Sequence, residues 1–314
     1  MKALEKTGAE PFRALLPVGY QAGVEAYRRA VAELTAEDLT QHYTTGLDYF
    51  HDTFVPQLKD RLAALSGGVW SFTDHVAYAS GSDVDLMTHL IDALAAREPV
   101  CLYPGDWYGF FVGSTQTHNL HWTEDSKHRP ACLCIPSVRN GHLTEEMLGF
   151  LSDADACLLN LNLYPTLAAD ERRDVAQALV PILPKAALSI SFSRGFGLTA
   201  SQLGVMLIPR EHPWRRRFSS QWDWFTYFYN AIAARAFLVM DLAEREAVDD
   251  ARRNWVHAWL REHGLPIVES GSYYVKSFRS EERLLEALCC LTRGSSIRLC
   301  FKPLQTIGVE HGIR

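Results

Sequence analysis

Ser191-Phe192-Ser193-Arg194-Gly195-Phe196-Gly197-Leu198-Thr199-Ala200-Ser201-Gln202-Leu203-Gly204 decides how this chain is read. The apolar run Ala187 to Ser191 enters the stretch as a strand, Gly195 and Gly197 punctuate a loop, and Gly204 leads back into a strand. Two hydroxyls, Ser191 and Ser193, and one guanidinium, Arg194, follow the strand end. Arginine stays protonated, with a pKa above about 12, so Arg194 offers a fixed positive charge and no amine nucleophile.

Upstream, apolar strands alternate with helical spacing. Leu58 to Leu65 reads as a helix, Val76 to Ala79 as a strand that stops at Ser80-Gly81-Ser82-Asp83, and Val84 to Ala96 as a helix. Val100 to Tyr103 and Asn119 to Trp122 read as strands, and Leu143 to Leu151 as a helix opened by Thr144. Ala156 to Leu159 is a buried strand, Asp170 to Val180 a helix, and Ala187 to Ser191 the strand of the opening stretch. This alternation predicts crossover units and a mostly parallel sheet. Beyond Pro213, an aromatic stretch from Trp214 to Tyr229 leads into helices expected over Asn230 to Ala247 and Asp249 to His263. Tyr273 to Val275 and Ile297 to Cys300 then read as strands around a helix from Glu281 to Leu291.

Composition excludes several classes. The chain has 314 residues, 47% hydrophobic and 22% charged, with a formal net charge of −6, which gives no basic face for nucleic acid. The N-terminus lacks the apolar core of a signal peptide, and no later run is long enough to span a bilayer, so a cytoplasmic protein is expected. The 7 cysteines sit mostly in apolar runs such as Ala131 to Ile135 and read as reduced core residues. His118 and His121, with His128 nearby, have strand-region spacing that points them to opposite faces, so no metal site is expected. Arg215-Arg216-Arg217 reads as a solvated or interface face, and the Trp222 to Tyr229 stripe as core or dimer interface.

The opening stretch resembles the cofactor loop of fold type I aminotransferases, which depend on pyridoxal phosphate (PLP). Their pattern is Ser-x-Ser-Lys, several small residues, then Arg-x-Gly. Arg194 stands at the place of the Schiff-base lysine and Gln202 at that of the phosphate-clamping arginine. Ser80-Gly81-Ser82 resembles the strand-to-helix turn whose amides hold the cofactor phosphate, which makes Gly81 and Ser82 candidates. Asp83 counts against that role, since a carboxylate repels a phosphate. Tyr108, next to Trp107, resembles the aromatic residue stacked on the pyridine ring. Asn160 to Thr166 resembles the Asn-Pro-x-Asn-Pro-Thr-Gly segment. Only Pro165-Thr166 falls in strict register, so Asn160 or Asn162 serves as the asparagine only if the loop is shifted. Ser191 and Ser193 remain as anion donors, and Tyr43 resembles the tyrosine lent to the partner's phosphate. Arg314, in Gly-Ile-Arg, and Arg298 resemble the substrate-carboxylate clamp.

In the family, the Asn-Pro segment is separated from the Ser-x-Ser-Lys loop by a helix, a strand ending in Asp-x-x-Tyr, and another helix. Leu167 to Ile190 has room for one helix and one strand, so a shortened sheet without the pyridine-pairing aspartate is expected.

The resemblance implies an α/β fold, a three-layer αβα large domain with a mostly parallel sheet, plus a small α+β C-terminal domain. The expected division is an N-terminal segment 1–45 packing on the small domain, a large domain 46–232, and a connecting helix with the small domain over 233–314. A homodimer is implied. An imine requires a neutral primary amine, which Arg194 cannot supply, so covalent PLP is not expected. The favoured expectation is a divergent enzyme of amino-acid-derived metabolism. It would bind an amino acid or related carboxylate in the old pocket, with PLP held noncovalently or with none, and with Arg194 as an electrostatic clamp. A non-catalytic pseudoenzyme subunit and an orthodox aminotransferase using another lysine are the alternatives.

Overall fold

The computed structural model describes residues 21–38, 47–106, 119–198, 201–217, 226, 229–262, 264–278, 292–293 and 296–297. Helices are α1 (Gln21–Glu33), α2 (Val55–Leu65), α3 (Asp83–Ala95), α4 (Glu145–Asp153), α5 (Ala169–Leu179), α6 (Ala231–Val239) and α7 (Leu242–Glu262). The main sheet comprises β1 (His75–Ser80), β2 (Val100–Leu102), β3 (Leu120–Trp122), β4 (Pro130–Cys134), β5 (Ala156–Asn160), β6 (Ala186–Ser191) and β7 (Gly204–Pro209), in the order β1-β7-β6-β5-β4-β2-β3. The pairs β3–β2, β2–β4, β4–β5 and β5–β6 are parallel, whereas β7 runs antiparallel to both β6 and β1. A small sheet, β8 (Lys276–Ser277), β9 (Thr292–Arg293) and β10 (Ser296–Ile297), has the order β8-β10-β9.

Alternation along the strands explains the three layers. On β5, Cys157 and Leu159 enter one core with Phe54, Leu58 and Phe237, while Ala156 and Leu158 enter the other with Leu86, Leu90 and Val256. Both faces are therefore apolar, and the central strands read as unbroken hydrophobic runs, as parallel strands covered by helices do. Each fully buried leucine here contributes roughly 2 kcal/mol from area alone. Cys101, Cys132, Cys134 and Cys157 are free thiols in these cores, as the sequence suggested. Trp214 and Tyr229 from the aromatic stretch are buried, and Arg215 and Arg216 are exposed.

Three expectations need correction. The sequence reading overlooked β4, so the main sheet is not shortened: it has seven strands among the described residues. The expected break between the long helices near residue 248 instead falls at Met240–Asp241. There the Asp241 carboxylate accepts from the Ala243 and Glu244 amides and caps α7. Tyr273 to Val275 is a turn, closed by the Val275 amide donating to the Ser272 carbonyl, and the strand begins only at Lys276. In the N-terminal segment, α1 lies on α6, and Gly23 abuts the Gly197 carbonyl of the β6–β7 loop. The calls on Glu281 to Leu291 and on residues 298–300 lie outside the described residues.

Gly204, which opens β7, determines how closely α3 meets the sheet. A Cβ there would stand 2.0 Å from the Asp83 nitrogen and 2.2 Å from the Ser82 carbonyl carbon, and backbone cannot yield as a side-chain tip can. Gly204→Ala is expected to cost about 3 kcal/mol or more in urea unfolding. A loss below about 1 kcal/mol would show that α3 is free to move away.

Candidate functional site

Parallel strands bring their carboxyl ends to one edge, the usual place for a crevice in an open α/β sheet. Ser80 at the end of β1 pairs with Gly204, Gly204 with Ser191 at the end of β6, and Asn160 at the end of β5 with Ser189. The turn after β1 starts α3 at this edge. Ser82 is extended, and its hydroxyl accepts from the Asp85 amide at 3.1 Å, a side-chain N-cap. Its oxygen is therefore committed to the helix. A Cβ on Gly81 would meet only the Asp85 carboxylate, at 3.9 Å.

Asp83, the first residue of α3, points inward and is only 5% exposed. Asn160 Nδ2 donates to its Oδ2 at 3.5 Å and approaches Met87 Sδ at 3.2 Å. The amide of Asn162 donates to Asn160 Oδ1 at 2.8 Å and so fixes which way the Asn160 side chain faces. Ser191 hydrogen-bonds the Asp83 carboxylate and lies 3.0 Å from the Ser193 hydroxyl. Burial pushes the Asp83 carboxyl up to about 6, against the opposing pull of the Arg194 charge and of the bonds from Ser191 and Asn160.

Beyond Ser191, the loop is anchored from below by aromatic rings. Phe192 and Phe196 both meet Phe237 edge-on, with ring centroids 4.9 Å apart in each pair. The Leu198 amide donates to the Phe192 carbonyl at 3.0 Å and the Gly197 amide to the Ser193 carbonyl at 2.9 Å. A Cβ on Gly195 would lie 2.7 Å from Pro165 Cγ and 2.8 Å from the Asn162 carbonyl oxygen. The loop is therefore pressed onto the segment that follows β5, and Arg194 is half-buried at the crevice.

Gly81, Ser82, Asn160, Ser191, Ser193 and Arg194 share this edge. Gln202 lies on the loop's return, exposed and with φ of 45°, a left-handed backbone that glutamine rarely adopts. Tyr43, Tyr108, Arg298 and Arg314 lie outside the described residues, as do Trp107 and His118. His121 is exposed on β3, and exposed His128 pairs with Asp155 at 3.5 Å. Among the described residues, no group of three or more His, Cys, Asp or Glu side chains gathers as for a metal.

Lysines lie elsewhere in the described structure. Lys185, just before β6, donates to the carbonyls of Ser152 and Ala154, at the opposite end of the strand from Arg194. Lys59 donates to the His75 carbonyl at the start of β1, and buried Lys276 bonds His257 Nε2 at 3.0 Å and the Glu269 carbonyl at 2.8 Å.

β4 also shifts the register of the resemblance by one strand. Ile135 to Gly141 follows β4, and α4, β5 and α5 then intervene before β6. That helix–strand–helix spacing is what the resemblance assigns to the Asn-Pro segment. On that count, β5 takes the place of the aspartate-bearing strand, and it ends in an amide, Asn160. The sequence reading had placed Asn160 in the Asn-Pro segment. It also treated Asp83 only as a repulsive neighbour; a carboxylate in a first helical turn ordinarily serves the dipole from solvent, so its inward direction left no signal.

Neither any protein family nor any curated protein sequence matches the chain. Solved structures do. An aspartate aminotransferase of Thermus thermophilus superposes with a TM-score of 0.57 at 14% identity, covering 91% of this chain and 90% of that one. The methionine aminotransferase YbdL of Escherichia coli gives 0.58 at 13% identity, over 83% and 86%. Histidinol-phosphate aminotransferase of Sinorhizobium meliloti, solved in complex with pyridoxal-5'-phosphate, gives 0.53 at 14% identity, over 82% and 72%. The chain therefore has the fold of type I PLP-dependent aminotransferases. No helix among the described residues is long and apolar enough to cross a membrane.

The upward shift of Asp83 has a sign that can be checked. Between its ordinary 3.8 and about 6, the folded protein holds a proton that the unfolded chain has released. Stability should therefore fall as pH rises through that window, by on the order of 3 kcal/mol. Asp83→Asn should lack this component in chemical denaturation across the same range. Equal slopes in the two proteins would mean that the carboxylate is not buried as described.

Proposed function

We propose that this chain is a divergent enzyme of amino-acid-derived metabolism. It binds an amino acid or related carboxylate noncovalently at the carboxyl edge of β5 and β6. The observation that carries this reading is Arg194, half-buried after β6 and close enough to act on the buried Asp83 carboxylate. A guanidinium in a partly desolvated crevice is a strong partner for a carboxylate and can stabilise developing negative charge.

The residues do not fit a coenzyme anchored through an imine. Arg194 has no neutral amine to offer. The α3 N-terminus, which would favour a phosphate, faces the buried Asp83 carboxylate, and the Ser82 oxygen is occupied as a cap. Gln202 brings no charge and is exposed. Asn160 ends β5 with an amide, which cannot pair with a pyridinium as a carboxylate does. On this reading the coenzyme is not held covalently. We also read the protein as a cytoplasmic homodimer, in keeping with its fold.

Incubation with PLP followed by borohydride reduction should leave the intact mass of the protein unchanged. A mass gain of one reduced coenzyme, mapped to any lysine, would overturn the noncovalent reading. In thermal-shift screening, at least one amino acid or related carboxylate should stabilise the protein. Arg194→Ala should weaken that ligand's binding by on the order of tenfold to a hundredfold. Unchanged affinity in Arg194→Ala would remove the clamp.

A further inference from the structure

A second cluster of ionisable side chains lies apart from Asp83, where the chain after α7 turns back into β8. Lys276, at the start of β8, is fully buried. Its ammonium donates to the Glu269 carbonyl at 2.8 Å, to the Ser270 carbonyl at 3.3 Å and to His257 Nε2 on α7 at 3.0 Å. Three donors thus meet three acceptors, which puts the His257 proton on Nδ1 and leaves a lone pair at Nε2. Residues 269–276 fold around that charge, and their outer side docks on the strand ends of the main sheet. The Gly271 amide donates to Glu171 Oε1 on α5 at 2.9 Å, and the Ser272 amide to the Gly141 carbonyl at 3.0 Å. The hydroxyls of Ser272 and Thr166, both fully buried, lie 2.8 Å apart. A Cβ on Gly271 would stand 2.6 Å from His142 Cε1, so the His142 ring is pressed against the same turn.

This arrangement has no place for a further proton. A protonated His257 would aim an N–H at an ammonium 3.0 Å away, losing a hydrogen bond and bringing two like charges into contact. The neighbouring charges are already matched. The Glu171 carboxylate acts on Lys276, Arg261 pairs with Glu269 at 3.2 Å, and Arg253 pairs with Asp250 while donating to the Thr166 carbonyl. His142 Nε2 is buried and, among the described residues, meets no hydrogen-bond partner. Burial first, and then the Lys276 charge, push His257 down to about 4 and lower His142 as well, against the weaker pulls of Glu269 and Glu171. Burial lowers Lys276 to about 8, so it keeps its charge wherever a histidine titrates.

We propose that His257, Lys276 and His142 form an acid-operated latch. At neutral pH they hold residues 264–278 against Gly141, Thr166 and Glu171, and protonation of the two histidines releases that segment while the seven-stranded sheet stays folded. Once released, His257 takes up its proton near the ordinary 6.5, whereas docked it does so only near 4. Docking is therefore full above about 6.5 and is lost as pH falls towards 4. From about pH 7.5 to about pH 5, His257 alone raises the open population about thirtyfold, and His142 adds to it. Release also withdraws Ser272 from Thr166, the neighbour of Pro165, against which Gly195 of the loop after β6 is packed. The latch works whatever the crevice binds.

Hydrogen exchange of the full chain, read by mass spectrometry and corrected for the intrinsic pH dependence of amide exchange, tests it. From about pH 7.5 to about pH 5, protection within residues 264–278 should fall by about thirtyfold or more, with β5 and β6 unchanged. Equal protection at both pH values, or a fall shared by the whole sheet, overturns the latch. His257→Gln keeps an acceptor for Lys276 but cannot be charged, so it should lose most of the acid response. A response as large as that of the native chain overturns the role of His257. If the variant does not fold, as judged by its thermal melt, nitrogen-15 NMR of the native histidines replaces it. His257 should then show the Nδ1–H tautomer and titrate near 4, and an ordinary midpoint near 6.5 overturns the proposal.

Discussion

The missing side chain at Gly204 lets the first turn of α3 rest directly on β7, and the geometry of the whole crevice follows from that contact. Ser80, Gly204 and Ser191 lie in one line across β1, β7 and β6, so the turn after β1 delivers α3 onto the ends of the neighbouring strands. With a Cβ at Gly204 only 2.0 Å from the Asp83 nitrogen, the helix start could not stay where it is. Because it does, the first helical side chain points to Asn160 and Ser191 instead of to water. A backbone approach thus fixes the position of a charge.

That charge sits in an unusual balance. Taking a carboxylate out of water costs several kcal/mol, and a neighbouring cation with a few hydrogen bonds repays it only when the geometry is good. Asp83 keeps a raised protonation range despite Arg194, Ser191 and Asn160, so repayment is incomplete. The ion pair Arg245–Asp249 provides a contrast within the same molecule. Both side chains are buried; Arg245 also donates to the Pro165 carbonyl, and Asp249 also accepts from the Tyr273 hydroxyl at 2.7 Å. Those acceptors and donors belong to the protein and tie α7 to the turn after β5. At Asp83 the partners are Arg194, Ser191, Asn160 and its own amide, and burial still outweighs them.

Much of this fold was legible because the signals were local. The strand, glycine loop and return strand around Arg194, and the strand–turn–helix around Ser82, follow from periodicity and capping, and both stand in the structure. β4 was not legible: five buried residues between Pro130 and Pro136 show no alternation, and a short apolar run looks the same in a strand as in any core segment. Counting the overlooked strand moves the resemblance by one strand, so that Asn160 falls at the end of β5. Tyr273 to Val275 failed for the opposite reason. Its residues have strand composition, but the Tyr273 hydroxyl is drawn to Asp249 and the Ser272 carbonyl closes a turn, so tertiary partners override propensity. The chemistry of Arg194 could be read from residue identity alone, whereas the direction of Asp83 required the distance from α3 to β7.

The departures from the family pattern are consistent with one another as charges. On the reading proposed above, Arg194, which cannot lose its proton, stands where the resemblance puts an amine that can. On the same reading the Asn160 amide stands where the resemblance puts the pyridine-pairing carboxylate, and Gln202 where it puts the phosphate-pairing guanidinium. A new carboxylate, Asp83, enters at the helix N-terminus. Each substitution alone would leave a coenzyme site with a defect. Together they leave the half-buried Arg194 and the buried Asp83 acting on each other at the strand ends. A crevice so balanced gains nothing from a dianion, which would repel one member of the pair as it met the other.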